Sequence, residues 1–164
     1  MDRRFALDSN ILIYCHRQIY PFEMAPAFWR QLIENGGQKI IFLDQVKDEI
    51  YRNEDQLSIW LKENEDHFVT KEAGDSSVIS CYSDIITSIK ENTQYKETAK
   101  DEFASIADSW LCAYGMAYGD VLVTNEKFEP AIRRRIKIPN ICHEFNIDYI
   151  GLLEFMRELD IRFD

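Results

Sequence analysis

The chain has 164 residues, of which 46% are hydrophobic and 13% aromatic. This composition excludes a generally disordered protein, and the length predicts one domain, residues 1–164, with a substantial buried core. The formal net charge is −10, which disfavours a general nucleic-acid binder, because such a surface repels phosphates unless cations or a local basic patch intervene.

The predicted location is the cytoplasm. The N-terminus lacks the pattern of a secretory signal, and no apolar run reaches the roughly 18 residues of a membrane span. Four cysteines are scattered through apolar surroundings, which favours buried free thiols in a reducing compartment. A zinc site built from the Cys15-His16 and Cys142-His143 pairs is a weaker alternative, because adjacent residues point in different directions.

Hydrophobic periodicity predicts an α/β protein. In chain order we expect a strand over 4–7, a helix over 10–18, a helix from 26 to the glycines at 36 and 37, and a strand over 39–43. The last of these runs is continuously apolar, which is typical of a parallel strand buried on both faces. A strand, a helix and a second strand within about forty residues predict a βαβ unit.

The rest of the chain adds more helix than strand. We expect helices over 45–53, 55–65, 76–91, 100–118 and 151–159, strands over 67–70, 121–123 and 147–150, and an edge segment over 138–142. Residues 92–100 are polar and have no periodicity, so they predict a mobile loop that can act as a lid over a cleft.

Asp8 is the first candidate for a functional site. It follows the apolar run 5–7, and the ligand crevice of an open α/β sheet lies at the carboxyl ends of its strands. Ser9 and Asn10 can cap the helix that comes next, and a single carboxylate here is equally well explained as a helix cap. A functional role therefore depends on other acids reaching the same place.

Two acids on predicted helices are candidates to join it. Glu49 is spaced from the apolar residues around it so that they share one face of a helix. Its side chain therefore either points inward near the top of the sheet or lies at the exposed edge of this apolar face. Asp108 stands inside a long apolar helix, where an uncompensated acid is costly, which favours a function. Asp101, seven residues earlier, falls on nearly the same helix face.

Glu126 and Thr124 follow the apolar run 121–123, and they lie near Asp8 if the two strands are neighbours. The segment beyond them contains the densest basic cluster of the chain: Lys127, Arg133, Arg134, Arg135 and Lys137. Such a run is either a solvated helix face or, beside a carboxylate-bearing strand end, a surface that binds phosphates.

Together these acids predict a cation site. Several carboxylates that converge on one point cannot all ionise without a cation, and hard oxygen ligands select Mg²⁺ or Mn²⁺ over zinc. Such a site polarises a phosphate and lowers the pKa of a bound water, which is the chemistry of phosphodiester hydrolysis. The predicted ligands are Asp8, Glu49, Asp108 and Glu126.

Four short motifs occur in order along the chain: Leu7-Asp8-Ser9-Asn10, Val46-Lys47-Asp48-Glu49-Ile50, Ala107-Asp108-Ser109-Trp110-Leu111-Cys112-Ala113 and Val123-Thr124-Asn125-Glu126. Together they resemble the motifs of PIN-domain ribonucleases, in a PIN-like subgroup that ends in T-N-E. That family includes the toxins of type II toxin–antitoxin pairs. Each motif is short, so the resemblance depends on their order and spacing.

The resemblance implies a three-layer α/β/α fold with a mainly parallel sheet, a Mg²⁺ or Mn²⁺ site, and RNA as the substrate of an endonuclease. By motif position, the three main acids of the family match Asp8, Glu49 and Asp108, and its supporting polar residues match Asn10 and Thr124. Glu126 is a departure, because the commoner pattern has Asp there. A cognate antitoxin and a homodimer are also implied.

Two other functions stay open. A non-catalytic PIN-like module that binds RNA or protein in RNA processing has the same fold. A haloacid-dehalogenase-like phosphatase also has an Asp after its first strand, but that family requires Asp-x-Asp, and position 10 is Asn here.

Overall fold

Five short parallel strands form the centre of the protein in the computed structural model, which describes residues 3–164. The strands are β1 (Phe5–Leu7), β2 (Ile40–Leu43), β3 (Val69–Lys71), β4 (Val121–Val123) and β5 (Tyr149–Ile150). Their order across the sheet is β3-β2-β1-β4-β5. The strand β1 therefore lies in the middle of the sheet, with β2 on one side and β4 on the other.

Helices cover both faces of this sheet. Phe5 of β1 packs edge-on against Phe155, with ring centroids 5.4 Å apart. Leu122 lies one register position further along and points to the opposite face, because side chains alternate along a strand. There it contacts the helix that contains Gly115. The expected three-layer α/β/α architecture is confirmed, and it explains why β1, β2 and β4 are fully apolar.

Within residues 3–164 there are nine α-helices, of which eight connect strands and the ninth follows β5. They are α1 (Ser9–Tyr14), α2 (Pro26–Gln31), α3 (Asp44–Tyr51), α4 (Gln56–Asn64), α5 (Ser76–Glu91), α6 (Glu97–Ser105), α7 (Ala107–Tyr118), α8 (Ile138–Phe145) and α9 (Leu152–Glu158). π-helical turns over Cys15–Ile19 and Leu32–Gly36 extend α1 and α2. None of these helices is both long and apolar enough to cross a membrane.

The prediction of a single helix over 100–118 is wrong. The backbone is extended at Ile106, so α6 ends at Ser105 and α7 begins at Ala107. Two serine hydroxyls donate hydrogen bonds to backbone carbonyl groups at this break. Ser105 Oγ donates to Glu102 O at 2.7 Å, and Ser109 Oγ donates to Ile106 O at 2.9 Å. Both helices keep an apolar stripe, so periodicity alone does not reveal the break.

Two further predictions are corrected. Residues 138–142 belong to the helix α8, in which Pro139 occupies the first turn, where a missing N–H costs nothing. The loop predicted over 92–100 is shorter, because α6 begins at Glu97. Its remainder is held in place by the buried Tyr95 and by the side chain of Gln94, so it is not a free lid.

The helix α7 approaches the sheet closely at Gly115, which is why this position has no side chain. A Cβ there would lie 2.9 Å from Ile147 Cγ2 and 3.0 Å from Leu122 Cδ2. Nearer its N-terminus, α7 packs on α5 through Trp110, whose ring is stacked on that of Tyr82 with the centroids 3.8 Å apart. These contacts fix the position of α7 above the sheet. They therefore also fix the position of the residues in the first turn of α7.

We expect Gly115→Val to destabilise the protein by about 1–3 kcal/mol, because the added methyl groups overpack a filled site. Urea denaturation followed by circular dichroism measures the change. Gly74→Val is the matched control, since a Cβ at Gly74 meets no atom within 4 Å. Equal stability of the two variants would show that α7 has room to move away from β4.

Candidate active site

Asp8 lies in a cleft at the carboxyl edge of β1 and β4. Its side chain is 2% exposed, and its own N–H extends the ladder between these strands by donating to Val123 O at 3.0 Å. Its Oδ1 accepts a hydrogen bond from the backbone N–H of Asn10 at 3.3 Å, which makes Asp8 the N-cap of α1. The expectation that Ser9 or Asn10 supplies this cap is therefore wrong.

Thr124 is the neighbour of Asp8 across the sheet. The register pairs Leu7 with Val123, so the residues that follow them, Asp8 and Thr124, lie side by side at the same edge of the sheet. Thr124 Oγ1 donates to Asp8 Oδ2 at 3.2 Å, and the threonine is only 1% exposed. Both oxygens of Asp8 thus accept a hydrogen bond, which fixes the orientation of its carboxylate.

Asp108 comes from α7 and lies behind the cleft lining, close enough to Asp8 for the charge of Asp8 to act on it. It is the second residue of that helix and is 5% exposed, so it is buried in the first helical turn rather than in the middle of a long helix. The positive end of the helix dipole favours a carboxylate there. Asp101, which the sequence placed on the same face, is on α6 and exposed to solvent, so it does not belong to the site.

Glu49 on α3 is the third acid that points inward. One of its carboxylate oxygens, Oε1, is buried without a hydrogen-bond partner. Burial raises the pKa of Glu49, while the positive charge of Arg52 and the backbone N–H of Ala107 lower it. Of the two positions that its sequence pattern allows, Glu49 therefore occupies the inward one, beside the start of α7.

Burial makes both aspartates weak acids. The pKa of Asp8 is raised from the ordinary value of 3.8 to about 7, and that of Asp108 to about 8, with burial as the largest cause in each case. The negative charges of Glu126 and Glu49 contribute to both values, and the charge of Asp8 contributes to that of Asp108. The four acids are therefore near enough to one another to interact electrostatically.

Glu126 is held at one side of this group. Its Oε2 accepts a hydrogen bond from Arg135 at 2.6 Å, and its Oε1 accepts one from the backbone N–H of Ile138 at 3.1 Å. Within residues 3–164, no three His, Cys, Asp or Glu side chains are close enough together to hold an ion in this conformation.

The residues present nevertheless suit a hard divalent cation. Asp8, Glu49 and Asp108 offer carboxylate oxygens, which are the ligands that Mg²⁺ and Mn²⁺ prefer. The unpartnered Oε1 of Glu49 is a costly buried group, and a cation bound between it and Asp8 would satisfy it. A positive charge at that point would also offset the repulsion that raises the pKa of both aspartates.

The cleft has a volume of about 540 Å³ and mixes acidic, basic and neutral polar side chains. Its lining consists of Asp8, Asn10, Tyr14, Asn125, Glu126, Lys127, Arg135 and Lys137. Tyr14 and Asn125 were not predicted. Tyr14 is 42% exposed and lies one helical turn after Asn10, so the spacing of four residues on α1 was the available signal.

The predicted basic cluster is divided between two places. Lys127, Arg135 and Lys137 line the cleft. Arg133 and Arg134 line a different pocket on the protein surface. No part of 127–137 is a regular helix, so the solvated helix face that was the alternative explanation of this cluster does not exist.

The described fold and cleft define a parallel α/β protein with buried carboxylates at the carboxyl edge of its sheet. Among solved structures, it is similar to the crystal structure of VapBC2 from Rickettsia felis bound to a DNA fragment from their promoter. The TM-score is 0.54 at 12% sequence identity, and the match covers 90% of this chain and 97% of the other. This likeness confirms the PIN-like fold and shows the fold alone.

The chain belongs to the family described as "Domain of unknown function (DUF4411)", whose model matches residues 5–163. No curated protein matches the sequence.

Asp108→Asn should stabilise the metal-free protein at high pH. The folded state holds the Asp108 proton up to about pH 8, whereas the unfolded chain releases it near 3.8. The stability contributed by the protonated acid is therefore complete below pH 3.8 and is lost as the pH rises towards 8. Asparagine avoids this loss, so we expect a gain on the order of 2 kcal/mol, about 4–8 °C in Tm, at about pH 9.

Thermal unfolding in EDTA at about pH 5 and pH 9 measures this difference, which should be larger at the higher pH. Asp101→Asn makes the same chemical change at an exposed position and should leave Tm nearly unchanged at both values. A lower Tm for Asp108→Asn at high pH would contradict the burial of an acid in a repulsive site.

Proposed function

We propose that this protein is a metal-dependent endoribonuclease that hydrolyses RNA phosphodiester bonds. The observation that carries the proposal is the burial of Asp8 and Asp108 at the carboxyl edge of the sheet, near enough to Glu49 for its charge to act on both. Two of these acids are nearly inaccessible to solvent, and an oxygen of the third is buried without a partner. Such an arrangement is costly for stability, and its cost is explained if the site is kept for chemistry.

The side chains of the cleft have separate tasks in this proposal. Asp8, Glu49 and Asp108 would hold Mg²⁺ or Mn²⁺, and Thr124 would keep the Asp8 carboxylate in one orientation. A bound divalent cation supplies the charge that allows these acids to ionise together, polarises the phosphate and activates water for attack on it.

The remaining cleft residues would act on the substrate. Glu126 is proposed to act as a fourth acid, and its hydrogen bond also directs Arg135 along the cleft wall. Lys127, Arg135 and Lys137 bring positive charge to the opening, where the RNA backbone would approach an otherwise acidic surface. Asn10 borders the same opening and would contact the substrate or water near Asp8.

Biologically, we infer the toxin of a type II toxin–antitoxin pair that acts in the cytoplasm. The motif resemblance supports this inference, and so does the likeness in fold to VapBC2. A cognate antitoxin protein would then be its partner, and the active form would be a homodimer. RNA as the substrate class also derives from the motif resemblance.

A non-catalytic module that binds RNA or protein is the second candidate. The conformation of Glu126 favours it, because both oxygens of this acid are engaged by Arg135 and Ile138 rather than directed toward the other acids. The two candidates differ in whether the carboxylates bind a metal ion and whether RNA is cleaved.

Asp8→Asn and Asp108→Asn should each abolish RNA cleavage. Loss of a metal ligand is expected to cost more than the roughly 10–100-fold typical of a residue that only orients a ligand. A fluorogenic single-stranded RNA with Mn²⁺ in excess measures the rate, and Asp101→Asn is the control that removes an exposed acid from a neighbouring helix. Undiminished cleavage in both cleft variants would overturn the assignment.

Mn²⁺ should raise the thermal stability of the wild-type protein. A ligand that binds only the folded state stabilises it by about 2.7 kcal/mol at roughly a hundred times its Kd. The increase in Tm between EDTA and millimolar Mn²⁺ should shrink in Asp8→Asn and persist in Asp101→Asn. No shift in the wild-type protein would favour the binding module.

A further inference from the structure

The basic segment over 127–137 borders two pockets, and only one of them is the cleft with the acids. We propose that the second pocket is a subsite for the sugar–phosphate backbone of the substrate strand, at a distance from the scissile phosphate. This inference rests on the proposed function, because it assumes that an RNA strand enters the cleft. It adds that the same RNA strand continues along the protein surface to the second pocket.

The second pocket has a volume of about 340 Å³ and is lined by Lys96, Glu129, Ala131, Ile132, Arg133 and Arg134. Its three cationic side chains come from two separate parts of the chain. Lys96 precedes α6, whereas the two arginines belong to the segment that leads from the cleft to α8. Sequence inspection associated only the arginines with RNA, because Lys96 lies more than thirty positions away.

Two buried isoleucines orient the arginines. Ile132 is 7% exposed and Ile136 is 2% exposed, so the chain is anchored to the core on either side of Arg133, Arg134 and Arg135. The three side chains between these anchors are exposed. The anchors therefore keep these three arginines at the protein surface.

The backbone of this segment is tied to the residues before α6. The side-chain amide of Gln94 donates to Pro130 O at 2.9 Å and to Ile132 O at 2.7 Å. The N–H of Lys96 donates to Arg133 O at 2.9 Å. The two loops therefore form one connected structure, and little ordering of the backbone is needed before a ligand binds.

The charges of the two pockets are balanced differently. Of the cleft cations, Arg135 pairs with Glu126 of the cleft, whereas Lys137 pairs with Glu129, the carboxylate that lines the second pocket. Within residues 3–164, Lys96, Arg133 and Arg134 form no ion pair. The second pocket therefore holds three cations against one carboxylate, and the pKa of that carboxylate, Glu129, is lowered mainly by its hydrogen bond with Lys137 and also by the charge of Arg134. In a chain with a net charge of −10, this is a local excess of positive charge.

The position of the pocket indicates which ligand would balance this charge. Arg134 and Arg135 are consecutive residues, yet the first lines the second pocket and the second lines the cleft. A ligand that reaches both must therefore be an extended polyanion. A phosphodiester chain fits, because one of its phosphates can lie at the acids while others lie against Lys96, Arg133 and Arg134. An acidic protein surface would not enter the carboxylate cleft.

The test compares long and short RNA. Fluorescence anisotropy in EDTA, without cleavage, would follow a labelled single-stranded RNA of about 20 nucleotides and one of about 4 nucleotides. Arg133→Gln/Arg134→Gln removes two cations of the subsite, and Arg157→Gln/Arg162→Gln removes two exposed arginines at and beyond the C-terminal end of α9 as the matched control. Circular dichroism checks that both variants are folded.

We expect the subsite variant to bind the long RNA at least about tenfold more weakly, with a salt dependence reduced by about 1.4 in the log–log slope, since each lost phosphate contact contributes about 0.7. Binding of the short RNA and of both RNAs by the control should stay near the wild-type value. An unchanged affinity and slope for the long RNA would overturn the subsite, and so would equal losses for both lengths.

These outcomes are independent of catalysis. A protein that never cleaves RNA but loses long-strand affinity in the subsite variant would retain the subsite and lose the nuclease assignment. If the wild-type protein cleaves RNA but the subsite variant binds the long RNA as tightly as the wild type, the nuclease assignment would be retained and the subsite lost.

Discussion

Two carboxyl groups that are withdrawn from water next to each other are the constraint on which this structure depends. Asp8 and Asp108 are 2% and 5% exposed, and burial is the largest cause of their raised pKa values. Hydrogen bonds to Asp8 from Thr124 and from the backbone of Asn10 offset part of this cost. They do not cancel it, because the pKa of each aspartate stays near neutrality or above. The protein thus maintains a site that a positive ion would stabilise.

The fold brings these groups together by simple geometric means. Parallel pairing of β1 with β4 places residues 8 and 124 side by side at one edge of the sheet. The break in the helix at Ile106 then turns a mid-helix acid into one at a helix N-terminus, where the dipole favours its charge. Close packing of α7 at Gly115 holds that terminus over the sheet. Each of these features would be of little use without the others.

Charge is distributed unevenly around this centre. The chain as a whole is strongly acidic, but its segment over 127–137 supplies cations to the cleft and to the neighbouring pocket. Ion pairs with Glu126 and Glu129 partly neutralise Arg135 and Lys137, whereas Lys96, Arg133 and Arg134 form no ion pair with any residue from 3 to 164 and share a pocket with a single carboxylate. An anionic strand would therefore be attracted to one narrow region and repelled elsewhere, which favours binding in a single place.

Local sequence patterns predicted the strands and most of the helices, and they singled out the acids that the fold buries. The apolar runs at 5–7, 40–43 and 121–123 are short and continuous, and such local patterns record burial directly. Asp8 and Thr124 could be foreseen because polar residues that follow buried parallel strands meet at one edge. For Glu49, periodicity allowed an inward and an outward position, and only packing against the start of α7 chose the inward one.

Helix boundaries and the grouping of distant charged residues depend on tertiary contacts, which a local sequence pattern does not contain. The break at Ile106 and the helix α8 were missed because an apolar stripe looks the same on one long helix, on two short ones, or on a strand-length segment with a proline. The grouping of Lys96 with Arg133 and Arg134, and the separation of these arginines from Arg135, depend on loops that meet through hydrogen bonds between distant residues. Periodicity reports only on neighbours within a few positions, whereas the electrostatics of this cleft depend on distances across more than a hundred residues of chain, from Asp8 to Thr124.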